Sequence, residues 1–182
     1  MRVATIDNTK AWTVDDYLML GEMTTPCQLI NGELIMSPSP NPYHQTVASN
    51  LNDILKAFAR KTGGMCFFSP LDLYIDKKNV FQPDLILLSE EGKKYITKRG
   101  IEGPPDIVVE VISPSNSYTD RYDKKVAYQK FKVKEYWIVD PANQTLEIYS
   151  GESWNKPILY LASDGEVKST ILTTPFDLSE IF

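Results

Sequence analysis

Residues 107–112 read IVVEVI, a β-branched run dense enough for a strand covered on both faces, yet Glu110 places a carboxylate in its middle. An ionised carboxylate is strongly disfavoured there unless a cation or a set of donors compensates it. Positive charge is therefore expected beside Glu110. Upstream, FQPDLILLS over residues 81–89 repeats the arrangement, with Asp84 directly after Pro83 at the head of a second apolar strand. Two acids on core strands point to a metal site.

The 182 residues are expected to form one domain, 1–182, which buries roughly two-thirds of its unfolded surface. An apolar share of 42% and a charged share of 24% suit a globular chain and argue against large-scale disorder. No apolar stretch approaches the roughly 20 residues that span a bilayer, and the opening MRVATIDNTK lacks the basic-then-apolar pattern of a secretory leader. The expected compartment is the cytoplasm, with no membrane partner. Cys27 and Cys66 form no close pair and His44 is the single histidine, so a Cys/His zinc site cannot be assembled from this chain alone. Both cysteines are expected as small core or boundary residues.

A net charge of -5 argues against a protein that coats nucleic acid through bulk electrostatics. Locally the balance reverses: residues 120–134, DRYDKKVAYQKFKVK, hold Arg121, Lys124, Lys125, Lys130, Lys132 and Lys134 against Asp120 and Asp123. Such a run is ordinarily a solvated helix face. Its place just after Glu110 gives it a second meaning.

The segment WTVDDYLMLGE reads as a short helix capped by Thr13, with Asp15 and Asp16 complementing the dipole in the first turn. CQLINGELIMSP reads as a hairpin turning at Asn31-Gly32, and Pro38, Pro40 and Pro42 end it. Apolar residues at Val47, Leu51, Ile54, Leu55 and Phe58 predict an amphipathic helix over 43–62, closed by Gly63-Gly64. Short strands MCFFS, LDLYID and VFQPDLILLS follow, then EEGKKYITKRG as a short helix or ordered loop. A strand in PPDIVVEVISPS, a helix in YTDRYDKKVAYQKF and a strand in EYWIVD suit a crossover between parallel neighbours. TLEIYS and PILYLA are expected to complete the sheet or add a second layer. Tyr136 and Trp137 read as sheet residues.

Hydrolysis of a phosphodiester needs a nucleophilic water at neutral pH and positive charge where negative charge accumulates, and a carboxylate-held divalent metal supplies both. Mg2+ prefers oxygen ligands and keeps several waters, so one Asp and one Glu on adjacent strands can hold it; Asp84 and Glu110 fit. Asp120, Lys124 and Tyr128 are spaced four apart, which places them on one helical face, and Lys124 is the candidate to orient the water or neutralise phosphate charge.

In order along the chain, QPD, PPDIVVEVISPS, D-x-x-x-K-x-x-x-Y at 120–128 and EYWIVDP at 135–141 resemble the Uma-two family of restriction endonucleases. NGEL at 31–34 and the P-x-x-x-x-x-H run ending at His44 are similar to that family too, so the likeness runs from about Trp12 to the last residues. The resemblance implies the restriction-endonuclease-like fold of the PD-(D/E)XK superfamily, a mixed α/β (α+β) architecture with a central mixed sheet flanked by helices. It implies Asp84 and Glu110 as metal-binding and catalytic acids, Mg2+ as cofactor with Mn2+ able to replace it, and DNA as substrate. Where the superfamily places lysine two residues after the glutamate, this chain has Ile112, and the family pattern offers Lys124 from the following helix instead.

Plainer readings stand beside these. Asp84 after Pro83 suits a turn or strand cap. Glu110 suits a core ion pair with Lys or Arg. Glu33, next to the hairpin turn, suits a solvated acid and is kept as a possible third acidic group. His44 suits a helix-start residue packing or hydrogen bonding near the site, and Tyr128 a core ring offering its hydroxyl to it. The competing function is a catalytically weak or inactive nuclease scaffold that binds nucleic acid or a partner, favoured by the missing strand lysine and the acidic net charge. A homodimer that pairs two sites through the late strands is a further expectation.

Overall fold

The computed structural model describes residues 10–21, 25–36, 39–113 and 117–182. The leader reading of the first nine residues, Glu22 in the first predicted helix, the stop at Pro38 and the end of PPDIVVEVISPS at 114–115 lie outside the described residues.

Helix α1 (Val14–Met19) starts where expected, with Thr13 and Asp16 forming a reciprocal capping box. Strands β1 (Cys27–Ile30) and β2 (Glu33–Met36) pair in register Ile30↔Glu33. Asn31 and Gly32 have φ of 53° and 82°. Positive φ at both turn positions matches the right-handed twist of the strands, which is why Asn-Gly is favoured there. Helix α2 (Pro42–Thr62) begins one residue earlier than the periodicity predicted, on an Asn41 cap with proline in its first turn, and ends on Gly63 at φ 74°.

The run VFQPDLILLS is split between two sheets. β5 (Asn79–Phe81) joins β1, β2 and β4 (Leu73–Asp76), whereas β6 (Leu85–Leu88) belongs to a six-stranded sheet. The break falls at Gln82-Pro83-Asp84, where proline lacks the N–H a continuous ladder needs. The larger sheet has the order β10-β9-β8-β7-β6-β3, from β3 (Met65–Phe68), β6, β7 (Ile107–Val111), β8 (Glu135–Asp140), β9 (Thr145–Ser150) and β10 (Ile158–Leu161). Only β7 and β8 run parallel, as the strand–helix–strand pattern requires; the other neighbours are antiparallel. A small pair, β11 (Glu166–Val167) with β12 (Phe176–Asp177), was not anticipated.

Both faces of the large sheet are covered, so its central strands read as continuous apolar runs. On one face Val47, Leu51, Leu55 and Ala59 of α2 pack against Leu85, Leu87, Val109 and Trp137. On the other, Ile86, Val108, Tyr136 and Ile138 pack against Tyr128 from the crossover. That crossover is not one uniform helix. It comprises α3 (Ser117–Thr119), a π turn (Asp120–Lys124) and α4 (Lys125–Lys130). Residues 91–95 form a short 3-10 helix, and both cysteines are free, Cys27 buried and Cys66 at the boundary.

Candidate functional site

Antiparallel β6 and β7 pair as Leu85↔Val109 and Ile86↔Val108. One more step along that register sets Asp84 opposite Glu110, on the face shared by Ile86 and Val108; directly opposed residues carry Cβ atoms about 5 Å apart. The ladder ends there, and Asp84 Oδ2 accepts a bond from the Val111 amide at 2.8 Å. The two acids therefore meet at the carboxyl end of β7, the end from which the crossover departs. In open sheets with parallel strands that end is where sites form.

The crossover supplies the rest. Lys124 Nζ donates to Glu110 Oε1 at 2.9 Å and lies 3.0 Å from Asp120 Oδ1. Tyr128 donates its hydroxyl to the same Glu110 oxygen at 2.7 Å. An α turn holds 3.6 residues and a π turn more than four, so a step of four overshoots a full turn in one and falls short in the other. The step from Asp120 to Lys124 lies in the π turn and that from Lys124 to Tyr128 mostly in α4, so their opposite offsets bring Asp120 and Tyr128 nearly into line. Tyr136, read from sequence as a sheet residue, donates its hydroxyl to the Asp120 carbonyl at 3.0 Å and secures the π turn. Phe81 lies edge-on to Tyr128, and its ring centroid is 6.0 Å from the Lys124 ammonium. Neither contact had a signal in local sequence.

His44 reaches the cluster from the first turn of α2, its Nε2 3.4 Å from Asp84 Oδ2 and its Nδ1, among the described residues, buried without a hydrogen-bond partner. Glu33 is exposed at the head of β2 and, among the described residues, makes none of these contacts. The hairpin touches the crossover instead through Asn31, whose Nδ2 is 3.3 Å from Asp123 Oδ1. The third acid of the cluster is Asp120.

Burial sets the electrostatics. It pushes the Glu110 carboxyl up, and the charges of Asp120 and Asp84 add to that against the opposing Lys124 ammonium. Burial raises Asp120 likewise, again with Lys124 opposing. Lys124 moves up as well, because Glu110 and Asp120 together outweigh the penalty of burying its ammonium. The directions are consistent: one ammonium facing several acids is held charged, while the acids stay short of positive charge. Burial works against charging His44, but the Asp84 carboxylate and the Val111 backbone raise it above its ordinary value.

Glu135, which opens the EYWIVDP motif but has no role legible in the sequence, is fully buried and shows what a satisfied core carboxylate looks like. Its oxygens accept from Trp137 Nε1 at 2.8 Å, Ser169 Oγ at 2.7 Å, and the Thr170 amide and hydroxyl at 2.6 and 2.5 Å. Among the described residues four donors compensate it without a cation. Among the same residues Glu110 has one cation and one hydroxyl, both on Oε1, and Asp120 Oδ1 is buried without a well-directed hydrogen bond.

This donor set suits a hard divalent ion held by Asp84 and Glu110 with Asp120 at hand. Among the described residues no three His, Cys, Asp or Glu side chains form a ready coordination cage. Two carboxylates plus waters are the arrangement Mg2+ accepts. A cavity of about 690 Å3 lies elsewhere, around Asp72 and Tyr17, and shares no lining residue with the cluster. Among the described residues no helix is long and apolar enough to cross a membrane.

Residues 14–176 match the Uma2 (Uma-two) family, described as "Putative restriction endonuclease". An uncharacterized protein of Synechocystis sp. is 28% identical over 147 residues, covering 79% of this chain and 83% of that one. A crystal structure from Anabaena variabilis, described as a putative nuclease belonging to DUF820, superposes with a TM-score of 0.79. The superposition covers 93% of this chain and 97% of the other at 19% identity, a likeness of fold.

Proposed function

The chain belongs to the Uma2 family, and on that footing we propose that it is a Mg2+-dependent endonuclease hydrolysing DNA phosphodiester bonds at the Glu110 cluster, with the cytoplasm as its compartment. The observation that carries this reading is the charge deficit: Asp84, Glu110 and Asp120 share the Lys124 ammonium and, when protonated, His44. Asp84 and Glu110 would hold the divalent ion, Mg2+ or Mn2+ in its place, which would lower the pKa of a bound water and place positive charge where the transition state needs it.

The chain's own groups divide the remaining work. Lys124 stays protonated, so it is a hydrogen-bond donor to the attacking water or a phosphoryl oxygen and not a proton acceptor. Tyr128 holds the Glu110 carboxylate in place, and His44 orients Asp84. Ile112, where the superfamily has lysine, is buried beside them, so the amine comes from the helix. The experiment is cleavage of plasmid and short duplexes with Mg2+, Mn2+ or EDTA, using Glu110→Gln and Lys124→Ala beside the parent. Metal-dependent cutting lost in both variants supports the assignment; metal-independent cutting, or cutting indifferent to both changes, rejects it.

A second reading draws on one observation: the Lys124 side chain is only 5% exposed and already closes on Glu110. In a scaffold without turnover that pair is structural, and the protein binds nucleic acid or a partner. Selective binding with no cleavage under any metal favours it.

We further propose a homodimer through β10. This strand is the edge of the large sheet, and Ile158, Leu159 and Leu161 are 50%, 55% and 45% exposed on it. Natural edges are ordinarily guarded by charge, proline or bulges. The segment ILYL has none of these, and antiparallel pairing with its own copy would satisfy its free backbone groups. Light scattering of the parent and Leu159→Lys tests this; a monomer at all concentrations contradicts it.

A further inference from the structure

We propose that the outer face of the crossover helix is a stacking platform for unpaired nucleobases, so that the preferred substrate carries a single-stranded segment beside the scissile phosphate. The inference rests on the nuclease reading and names the substrate class for the same site. Tyr118 and Tyr122 are 70% and 56% exposed, with ring centroids 4.7 Å apart and planes inclined by 29°. Large rings left in solvent forgo the burial that usually decides where tyrosines sit. Val126, 46% exposed, continues the stripe one turn on.

These positions are two residues out of phase with Asp120, Lys124 and Tyr128. Two residues are about half a helical turn, so the helix presents the acid cluster to the sheet and the rings to solvent. Tyr118 stands in the first turn after β7, at the sheet end where Asp84 keeps 21% of its side chain exposed. The platform and the open side of the cluster therefore share one end of the molecule, separated by the width of one helix.

The occupant follows from chemistry. Of the two cations that interleave in sequence with the rings, Arg121 is already paired with Glu147 and Asp140, whereas Lys125 rests over the Tyr149 ring and, among the described residues, makes no ion pair with an acid. Base faces for the rings and a phosphate for Lys125 are what a nucleic-acid strand offers. A duplex hides its base faces in its own stack, so only unpaired bases can use the platform. An apolar protein partner would leave the Lys125 ammonium without an anion.

The test is binding of short oligodeoxynucleotides in EDTA, where no cleavage occurs, followed by fluorescence anisotropy for single-stranded, forked and blunt duplex forms. The proteins are the parent, Tyr118→Leu, Tyr122→Leu and Tyr122→Phe, each checked for an unchanged melting temperature. The parent is expected to prefer single-stranded and forked forms, each leucine variant to lose about tenfold on those forms and nothing on blunt duplex, and Tyr122→Phe to keep parental binding. Equal affinity for all three forms, leucine variants that bind as the parent does, or no binding at all overturns the proposal. The two readings fail separately: loss of the platform leaves Mg2+-dependent cutting of blunt duplex, and loss of the nuclease reading leaves binding in EDTA.

Discussion

Lys124 Nζ lies 2.9 Å from Glu110 Oε1, with both side chains 5% exposed, a buried ion pair whose ammonium also sits 3.0 Å from Asp120. Removing one partner of a buried pair costs about 3–5 kcal/mol, because the other charge is left uncompensated. Lys124→Met is therefore expected to lower stability by that amount in urea unfolding without divalent metal, and added Mg2+ is expected to restore part of it.

Glu110→Gln should behave in the opposite way. It removes one of the acids that compete for Lys124 while keeping side-chain shape, so metal-free stability is expected to fall by no more than about 1 kcal/mol. The Mg2+-induced rise in melting temperature is expected to vanish, and cleavage to fall at least about 100-fold. Calorimetry and plasmid nicking read the two effects separately.

Glu135 is a control of equal burial. Glu135→Ala strands four donors and is expected to destabilise by about 3 kcal/mol, with the increment from Mg2+ unchanged from the parent. A metal response that disappears in this variant would contradict the separation of the two carboxylates.

Asp106 gives a pH dependence. Burial works to raise its carboxyl, but Lys134 and the Ser89 amide outweigh that and hold it below the ordinary range. A depressed acid contributes stability above its unfolded pKa, about 3.9, and loses it as pH falls through the lower folded value. The stability gap between the parent and Asp106→Asn is therefore expected to be constant near neutrality and to shrink below about pH 4 in unfolding at stepped pH.

Local periodicity made the strands bearing Asp84 and Glu110 legible, and the four-residue spacing made Lys124 and Tyr128 legible, because both depend on contacts within one element. The π turn was not legible. It is held by Tyr136 from another strand, and nothing in DRYDK distinguishes it from an α turn. Both Glu33, from its motif, and Asp120, from its spacing to Lys124, are legible as possible supporting acids; the hairpin leaves Glu33 exposed, and Asp120 lies 3.0 Å from Lys124. The burial of Glu135 was not legible, because its Ser169 and Thr170 donors lie 34 and 35 residues away. The split of VFQPDLILLS had a local signal in Pro83, but the sheet that each half joins is a tertiary choice.

The most direct measurement is anomalous diffraction from crystals soaked in Mn2+. One peak at coordinating distance from carboxylate oxygens of both Asp84 and Glu110, absent in Glu110→Gln, is the predicted result. Well-occupied Mn2+ sites only elsewhere on the protein, or the same peak retained in Glu110→Gln, would contradict the account.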